Sequence, residues 1–165
     1  MTRLLGIDLG ERRIGLAVGT DDGSPARAFA TLRRGRDLDV DAAALRAIIE
    51  SQAIDAVVVG LPLEASGAEG PQAAITRAWA EAMRERLVIL LTFRDERLTS
   101  HLAETRLGPM KRGRSGGPPS KTQRDAHRAR VDREAAAIIL QDELDTRAGL
   151  RSSMPRSPDP QETSR

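Results

Sequence analysis

The sequence predicts an α/β domain built on a mixed five-stranded sheet with helices on both faces. Two observations carry that reading. The first 32 residues hold three short apolar runs separated by turn residues, which read as consecutive antiparallel strands. The rest of the chain alternates short β-branched runs with stretches of helical spacing, the pattern of parallel strands covered on both sides. A length of 165 residues suits one domain with one core, and is short for a two-domain enzyme that closes over a nucleotide.

The elements follow in order. Leu4–Leu9 is a strand, Gly10–Arg13 a turn, and Ile14–Gly19 a second strand, so the pair makes a hairpin. Thr20–Pro25 is a turn and Ala26–Leu32 a third strand. Asp39 or Asp41 can cap a helix through Ala42, Leu45, Ile48 and Ile49. Ala56–Gly60 is wholly apolar and β-branched, as expected of a buried strand. After a loop over 61–70, Pro71 suits the first turn of a helix reaching about Arg86. Leu87–Phe93 is a second buried strand, and Thr99 or Ser100 caps a helix ending near Leu107. Gly108–Ser120, rich in Gly and Pro, is a loop, and Val131 to about Arg147 is the last helix. Arg151–Arg165, with three Pro and four Ser, cannot bury enough surface to offset its ordering entropy. The expected division is a domain over 1–148 and a disordered tail over 149–165. The order β-β-β-α-β-α-β-α-α is that of the ribonuclease H-like fold.

Composition narrows the chemistry. The chain has no Cys, which excludes disulfides, zinc–thiolate sites and thiol catalysis. It has no Tyr, two Phe and one Trp, so stacking single-stranded bases on aromatic platforms is not expected. No signal sequence and no run near the ~20 apolar residues of a membrane span are visible, which points to a cytoplasmic protein without membrane partners. The net charge is +2, and the pI of about 9.9 reflects arginine's high pKa more than a large excess of base. The distribution matters more. Arg106–Arg133 holds nine bases, among them Lys111, Arg112, Arg114, Lys121, Arg124 and Arg128, against the two acids Asp125 and Asp132. That segment suits a phosphate-bearing partner, although a solvated basic loop would look the same.

Three acids could do chemistry. In Leu4–Leu9 the side chains alternate, placing Leu5, Ile7 and Leu9 on one face and Leu4, Gly6 and Asp8 on the other. A charge within a core strand needs a partner, either a metal ion or an arginine. Glu96 follows a buried strand, where open α/β sheets place their sites, with Asp95 its rival one residue away. Asp132 shares a helix face with Ala135, Ala136 and Ile139, so its carboxylate points the way the core stripe points. A first-turn acid favoured by the helix dipole is the plainer explanation. Asp125 and His127, a turn or so earlier, are alternatives. If Asp8, Glu96 and Asp132 converge, their mutual repulsion calls for divalent cations, and an oxygen-only ligand set without Cys selects Mg²⁺ or Mn²⁺ over zinc. Acids for metal beside bases for phosphate favour phosphodiester hydrolysis.

Four stretches carry a resemblance: Gly6-Ile7-Asp8-Leu9-Gly10; Val59-Gly60-Leu61-Pro62-Leu63 with Gly67 and Glu69-Gly70-Pro71-Gln72-Ala73; Asp95-Glu96-Arg97-Leu98-Thr99-Ser100; and Val131-Asp132 leading into Ala135-Ala136-Ala137-Ile138-Ile139-Leu140-Gln141. In this order they resemble the YqgF/RuvX family of Holliday junction resolvases, also described as pre-16S rRNA nucleases, with the ribonuclease H-like fold. The resemblance implies Asp8, Glu96 and Asp132 as metal-binding catalytic acids and Arg97 as a phosphate or structural contact. It also implies that Gly60, Pro62 and Gly70 shape a loop beside the site. The segment Arg106–Arg130 is longer and more basic than the family pattern, which blurs the alignment before Asp132 and keeps Asp125 open.

The function expected is therefore a metal-dependent endonuclease acting on branched DNA or on the 5′ end of pre-16S rRNA. A four-way junction is two-fold symmetric, so a junction resolvase would act as a homodimer, whereas rRNA trimming needs no symmetry. No base-reading motif is present, so contacts to phosphate and shape are expected. One rival is a non-catalytic nucleic-acid-binding module on the same scaffold. The other is an ATP-binding protein of the actin and sugar-kinase type, suggested by Asp8-Leu9-Gly10 and Gly15, but a single copy of the domain lacks the second half of that clamp.

Overall fold

The computed structural model describes residues 1–153 except 98, 111 and 114, with residues 100 and 151–153 described by their backbone alone. Among the described residues there are five strands: β1 (Arg3–Leu9), β2 (Arg13–Thr20), β3 (Arg27–Arg33), β4 (Ala56–Leu61) and β5 (Leu90–Asp95). They form one sheet in the order β3-β2-β1-β4-β5. The first three are antiparallel neighbours, and β4 and β5 run parallel to β1. The helices are α1 (Leu38–Ser51), α2 (Pro71–Leu87), α3 (Thr99–Leu107) and α4 (Lys121–Ser153).

Alternation along β1 sets the two cores. Leu5, Ile7 and Leu9 pack with Leu45, Trp79, Ala80 and Met83 under α1 and α2. Leu4 faces the other way and packs with Val58, Ala136, Leu140 and Leu144 under α4. Every residue of β4 is buried, because helices cover both of its faces. Among the described residues, no helix is long and apolar enough to cross a membrane.

Four element boundaries depart from the sequence reading. The cap of α1 is Asp37, which accepts from the Val40 amide at 3.0 Å. Asp41, offered as a cap, is buried instead and accepts from the Gly35 amide and the Trp79 indole. The strand predicted from Leu87 begins at Leu90, since Leu87 is the last residue of α2 and Val88 closes that helix in the left-handed conformation, φ 50°. Helix α4 begins ten residues before Val131. Its start is a reciprocal capping box: the Gln123 amide donates to the Ser120 hydroxyl and the Ser120 amide donates to the Gln123 side chain. At its other end α4 runs through Ser153, so residues 149–153 of the expected tail are helical. Residues 154–165 of that tail lie outside the described residues.

Helix α4 lies very close to β1 and β2, and two glycines allow it. A Cβ on Gly6 would sit 2.8 Å from the Ala136 carbonyl oxygen, and one on Gly15 would overlap the backbone of Asp132. Gly15 pairs with Asp8 across the hairpin. The helix turn carrying Asp132 therefore rests on Gly15, beside Asp8's position in the sheet. Because backbone, not a pliable side chain, blocks the space, Gly15→Ala should destabilise by about 3 kcal/mol, the upper end of overpacking. That corresponds to a fall of roughly 6–12 °C in melting temperature. A melting temperature within two degrees of the parent would show that α4 does not sit this close.

Candidate active site

The end of the sheet where β1, β4 and β5 terminate gathers the candidate acids. Asp8 is the penultimate residue of the central strand β1, with its side chain on the α4 side. Glu96 is the first residue beyond β5, and its amide donates to the Leu61 carbonyl at 3.1 Å, which draws it back toward the end of β4. Strand β4 stands between the two acids. It admits them because residue 60 is glycine: a Cβ there would lie 2.7 Å from a Glu96 carboxylate oxygen and would overlap Ile139. Through that gap the Glu96 and Asp8 side chains hydrogen bond to each other.

Burial raises the proton affinity of both groups. Asp8 is pushed up to about 6, mainly by desolvation, while its hydrogen bond to Glu96 acts in the opposite direction and the charge of Asp132 adds to the rise. Glu96 is pushed up to about 9 by desolvation, by the charge of Asp8 and by their hydrogen bond. Both shifts run upward, so the pair keeps a proton to higher pH than two separate carboxyls would.

Asp132 is near enough to act on Asp8 electrostatically, but its carboxylate is engaged elsewhere. Arg13 Nε donates to Asp132 Oδ2 at 2.5 Å. Among the described residues no three acid or histidine side chains stand together as a metal-holding group. The fold thus brings Asp8 and Glu96 together and leaves Asp132 beside them, turned to Arg13. The two alternatives are placed apart. Asp95 is exposed and takes hydrogen bonds from both the amide and the side chain of Arg97, which hold its carboxyl below the usual range. Asp125 pairs with Lys121 at 3.3 Å, and that bond depresses its carboxyl as well. Arg97 also donates to the Ala65 carbonyl, so it braces the loop between β4 and α2.

The basic residues divide. Lys121, Arg124 and Arg128, on the first turns of α4, line an open cleft of about 700 Å³. Its other wall is Arg12 and Arg13 from the β1–β2 hairpin and Arg33 and Arg34 from the end of β3. Seven bases thus face two acids, Glu11 and Asp125. A smaller cleft, lined by Gly10, Glu11, Arg12, Arg13, Arg128 and Asp132, shares four of these residues and reaches Asp132. Arg112 is exposed, and Lys111 and Arg114 lie outside the described residues. Sequence reasoning misses the hairpin wall, because four arginines spread over two turns form no run. The only hint is Arg12-Arg13 and Arg33-Arg34 as adjacent pairs at strand ends.

The proton held by the acid pair has a consequence for stability. A carboxyl raised in the folded state stabilises the fold fully below its unfolded value, and that contribution is lost as pH rises through the folded value. With no divalent metal, stability should fall between about pH 4 and pH 9, as first Asp8 and then Glu96 must ionise in place. Glu96→Gln removes the larger part of that cost. At pH 8 in chelator it should melt at least about 2–4 °C above the parent, equivalent to roughly 1 kcal/mol, with a flatter pH profile. Equal melting temperatures at pH 8 would mean that Glu96 is not held against a like charge.

Comparison with known proteins agrees with this arrangement of elements. The sequence profile of the RuvX family, described as a Holliday junction resolvase, matches residues 2–146. A protein of Anaeromyxobacter dehalogenans (strain 2CP-1) is 41% identical over 146 residues, covering 88% of this chain and 98% of its own. One of Ruegeria pomeroyi is 37% identical over 142 residues, covering 86% and 85%. Both are named as pre-16S rRNA nucleases. The RuvC structure of Thermus thermophilus superposes with a TM-score of 0.51 at 13% identity, covering 90% of this chain and 97% of that one. The T. thermophilus RuvC complex with a Holliday junction substrate gives 0.50 at 16%. Those likenesses show a shared ribonuclease H-like architecture. With the profile matched from the first strand into the last helix, and relatives near 40% identity over most of their length, the chain belongs to the RuvX family of nucleases.

Proposed function

We propose that this chain is a divalent-metal-dependent endonuclease that hydrolyses phosphodiester bonds in structured nucleic acid. Asp8, Glu96 and Asp132 are its acids, and Mg²⁺ or Mn²⁺ is its ion. The observation that supports this most is the placement of Asp8 and Glu96: two half-buried carboxyls, one on β1 and one just past β5, that meet through the gap at Gly60 beside Asp132, which itself lines a basic cleft. A fold selected for stability alone gains nothing from burying two acids together, since each costs desolvation and they repel.

The donor set fits such an ion: carboxylate oxygens only, in a chain without cysteine, suit a hard divalent cation. When bound, the ion supplies charge neutralisation at the scissile phosphate and a water of lowered pKa. Asp8 and Glu96 would give up their shared proton to hold it, with Asp132 as a third oxygen donor. Arg12, Arg33, Arg34, Lys121, Arg124 and Arg128 would bind backbone phosphates and set the register of the strand across the acids, while sequence would be read only through shape. Arg97, tied to Asp95 and Ala65, keeps the loop after β4 in position. The names of the relatives support trimming of pre-16S rRNA in the cytoplasm, and the family description supports cleavage of DNA junctions, for which the chain would pair as a homodimer.

Cleavage of labelled precursor rRNA and of a four-way DNA junction, side by side with Mg²⁺ or Mn²⁺, tests the reading. Asp8→Asn should lower cleavage by at least about a hundredfold while binding persists, the effect typical of removing a group that acts on the reacting centre. Wild-type rates in Asp8→Asn would remove the acid site from the chemistry. No cleavage of either substrate by the parent, with binding retained, would make the chain a binding module.

The cleft has its own test. Replacing Arg12, Arg34 and Arg124 with Ala should flatten the salt dependence of binding by about one unit of slope for each phosphate that is no longer neutralised. An unchanged slope would place the backbone elsewhere.

A further inference from the structure

We infer that Arg13 is a positioning residue shared between the phosphate cleft and the acid site. It holds Asp132 while the cleft is empty, and its transfer to a backbone phosphate releases Asp132 toward Asp8 and Glu96. The inference rests on the nuclease reading above and adds the order in which that site is completed.

Four observations lead to it. Arg13 is anchored at the first position of β2, where its carbonyl accepts from the Gly10 amide at 2.8 Å and closes the hairpin. Its guanidinium bonds Asp132 through Nε alone, and among the described residues its two terminal nitrogens make no hydrogen bond. It lines the basic cleft, the smaller cleft leading to Asp132, and a third beside His127 and Val131, so it borders each of these openings from the bases to the acids. Asp132, finally, cannot approach Asp8 by moving its backbone, because its carbonyl rests on Gly15. Only its side chain is free to turn, and Arg13 is what it is turned to.

A guanidinium that shares its cleft with Arg12, Arg34 and Arg128 is a strong ligand for phosphate, which offers several charge-assisted acceptors where Asp132 takes one bond. Polyanion and carboxylate therefore compete for one group. Coupling of this kind is reciprocal. If phosphate draws Arg13 from Asp132, then removing the Asp132 charge must make Arg13 more available to phosphate, with no metal involved.

A double-mutant cycle in chelator reads this directly, using anisotropy of a short labelled DNA duplex with the parent, Arg13→Gln, Asp132→Asn and the double variant. In the parent background Arg13→Gln should weaken binding by about twofold or less, because Arg13 is occupied. In the Asp132→Asn background it should cost about tenfold, within the usual range of coupling between sites. A simple effect of charge on the cleft would give the same factor in both backgrounds, and equal factors overturn the inference. Thermal melts establish that each variant folds. Should Arg13→Gln fail to fold, Arg13→Lys runs the same cycle, with an expected cost of about threefold confined to the Asp132→Asn background. The cycle needs neither metal nor cleavage, so a catalytically silent protein can still show the coupling. Failure of the parent to bind the duplex at all would overturn both the cleft and this role for Arg13.

Discussion

Two carboxyls touching inside a protein repel each other and lose their hydration, so the fold around Asp8 and Glu96 has to supply what water no longer does. Much of this structure answers that constraint. The central strand carries Asp8 to the sheet end, and the turn after β5 carries Glu96 back across β4. Gly60 is the empty position that lets them meet. Sharing a proton relieves the repulsion, and a divalent cation would relieve it more completely. The same constraint explains the neighbouring arginine. A third acid, Asp132, stands close enough to Asp8 to add to the repulsion, and its pairing with Arg13 neutralises it.

Packing and chemistry are joined at helix α4. Its apolar stripe from Ala136 to Leu144 is chosen by the sheet beneath it, and the glycines at 6 and 15 bring it down until backbone meets backbone. That close approach fixes where Asp132 sits. The turns before Val131 carry Lys121, Arg124 and Arg128 out beside the hairpin, so one helix presents both an acid to the site and bases to the cleft. The arrangement suits a polyanion crossing the acids, and it fits the nucleases with which this chain shares its family.

Much of this was legible in the sequence, for physical reasons that can be stated. Period-two alternation along β1 shows which face Asp8 occupies, and the all-apolar β4 announces a strand covered on both sides. Helical spacing from Val131 places Asp132 on α4 near the sheet, but not its turn to Arg13. Other features were hidden because no local pattern encodes them. The start of α4 at Lys121 lacks an apolar stripe, since none of residues 121–130 is buried, and only Ser120 and Gln123 mark its cap. Asp41 reads as a surface cap but is taken into the core by Trp79 and Gly35, a pairing across the α1–α2 interface. The hairpin half of the basic cleft depends on β3 folding back beside β2, and the tie between Arg13 and Asp132 spans 119 residues. Glu96 and Asp95 are equivalent in sequence. What separates them is that one turns in over Gly60 and the other out to Arg97.

Anomalous diffraction from crystals soaked in Mn²⁺ reads whether the Asp8–Glu96 pair receives a divalent cation. A peak is expected within about 2.0–2.6 Å of carboxylate oxygens from both residues, the span of hard-cation coordination, with their mutual hydrogen bond broken. An intact Asp8–Glu96 hydrogen bond with Mn²⁺ bound only elsewhere, or nowhere, would contradict that role for the pair.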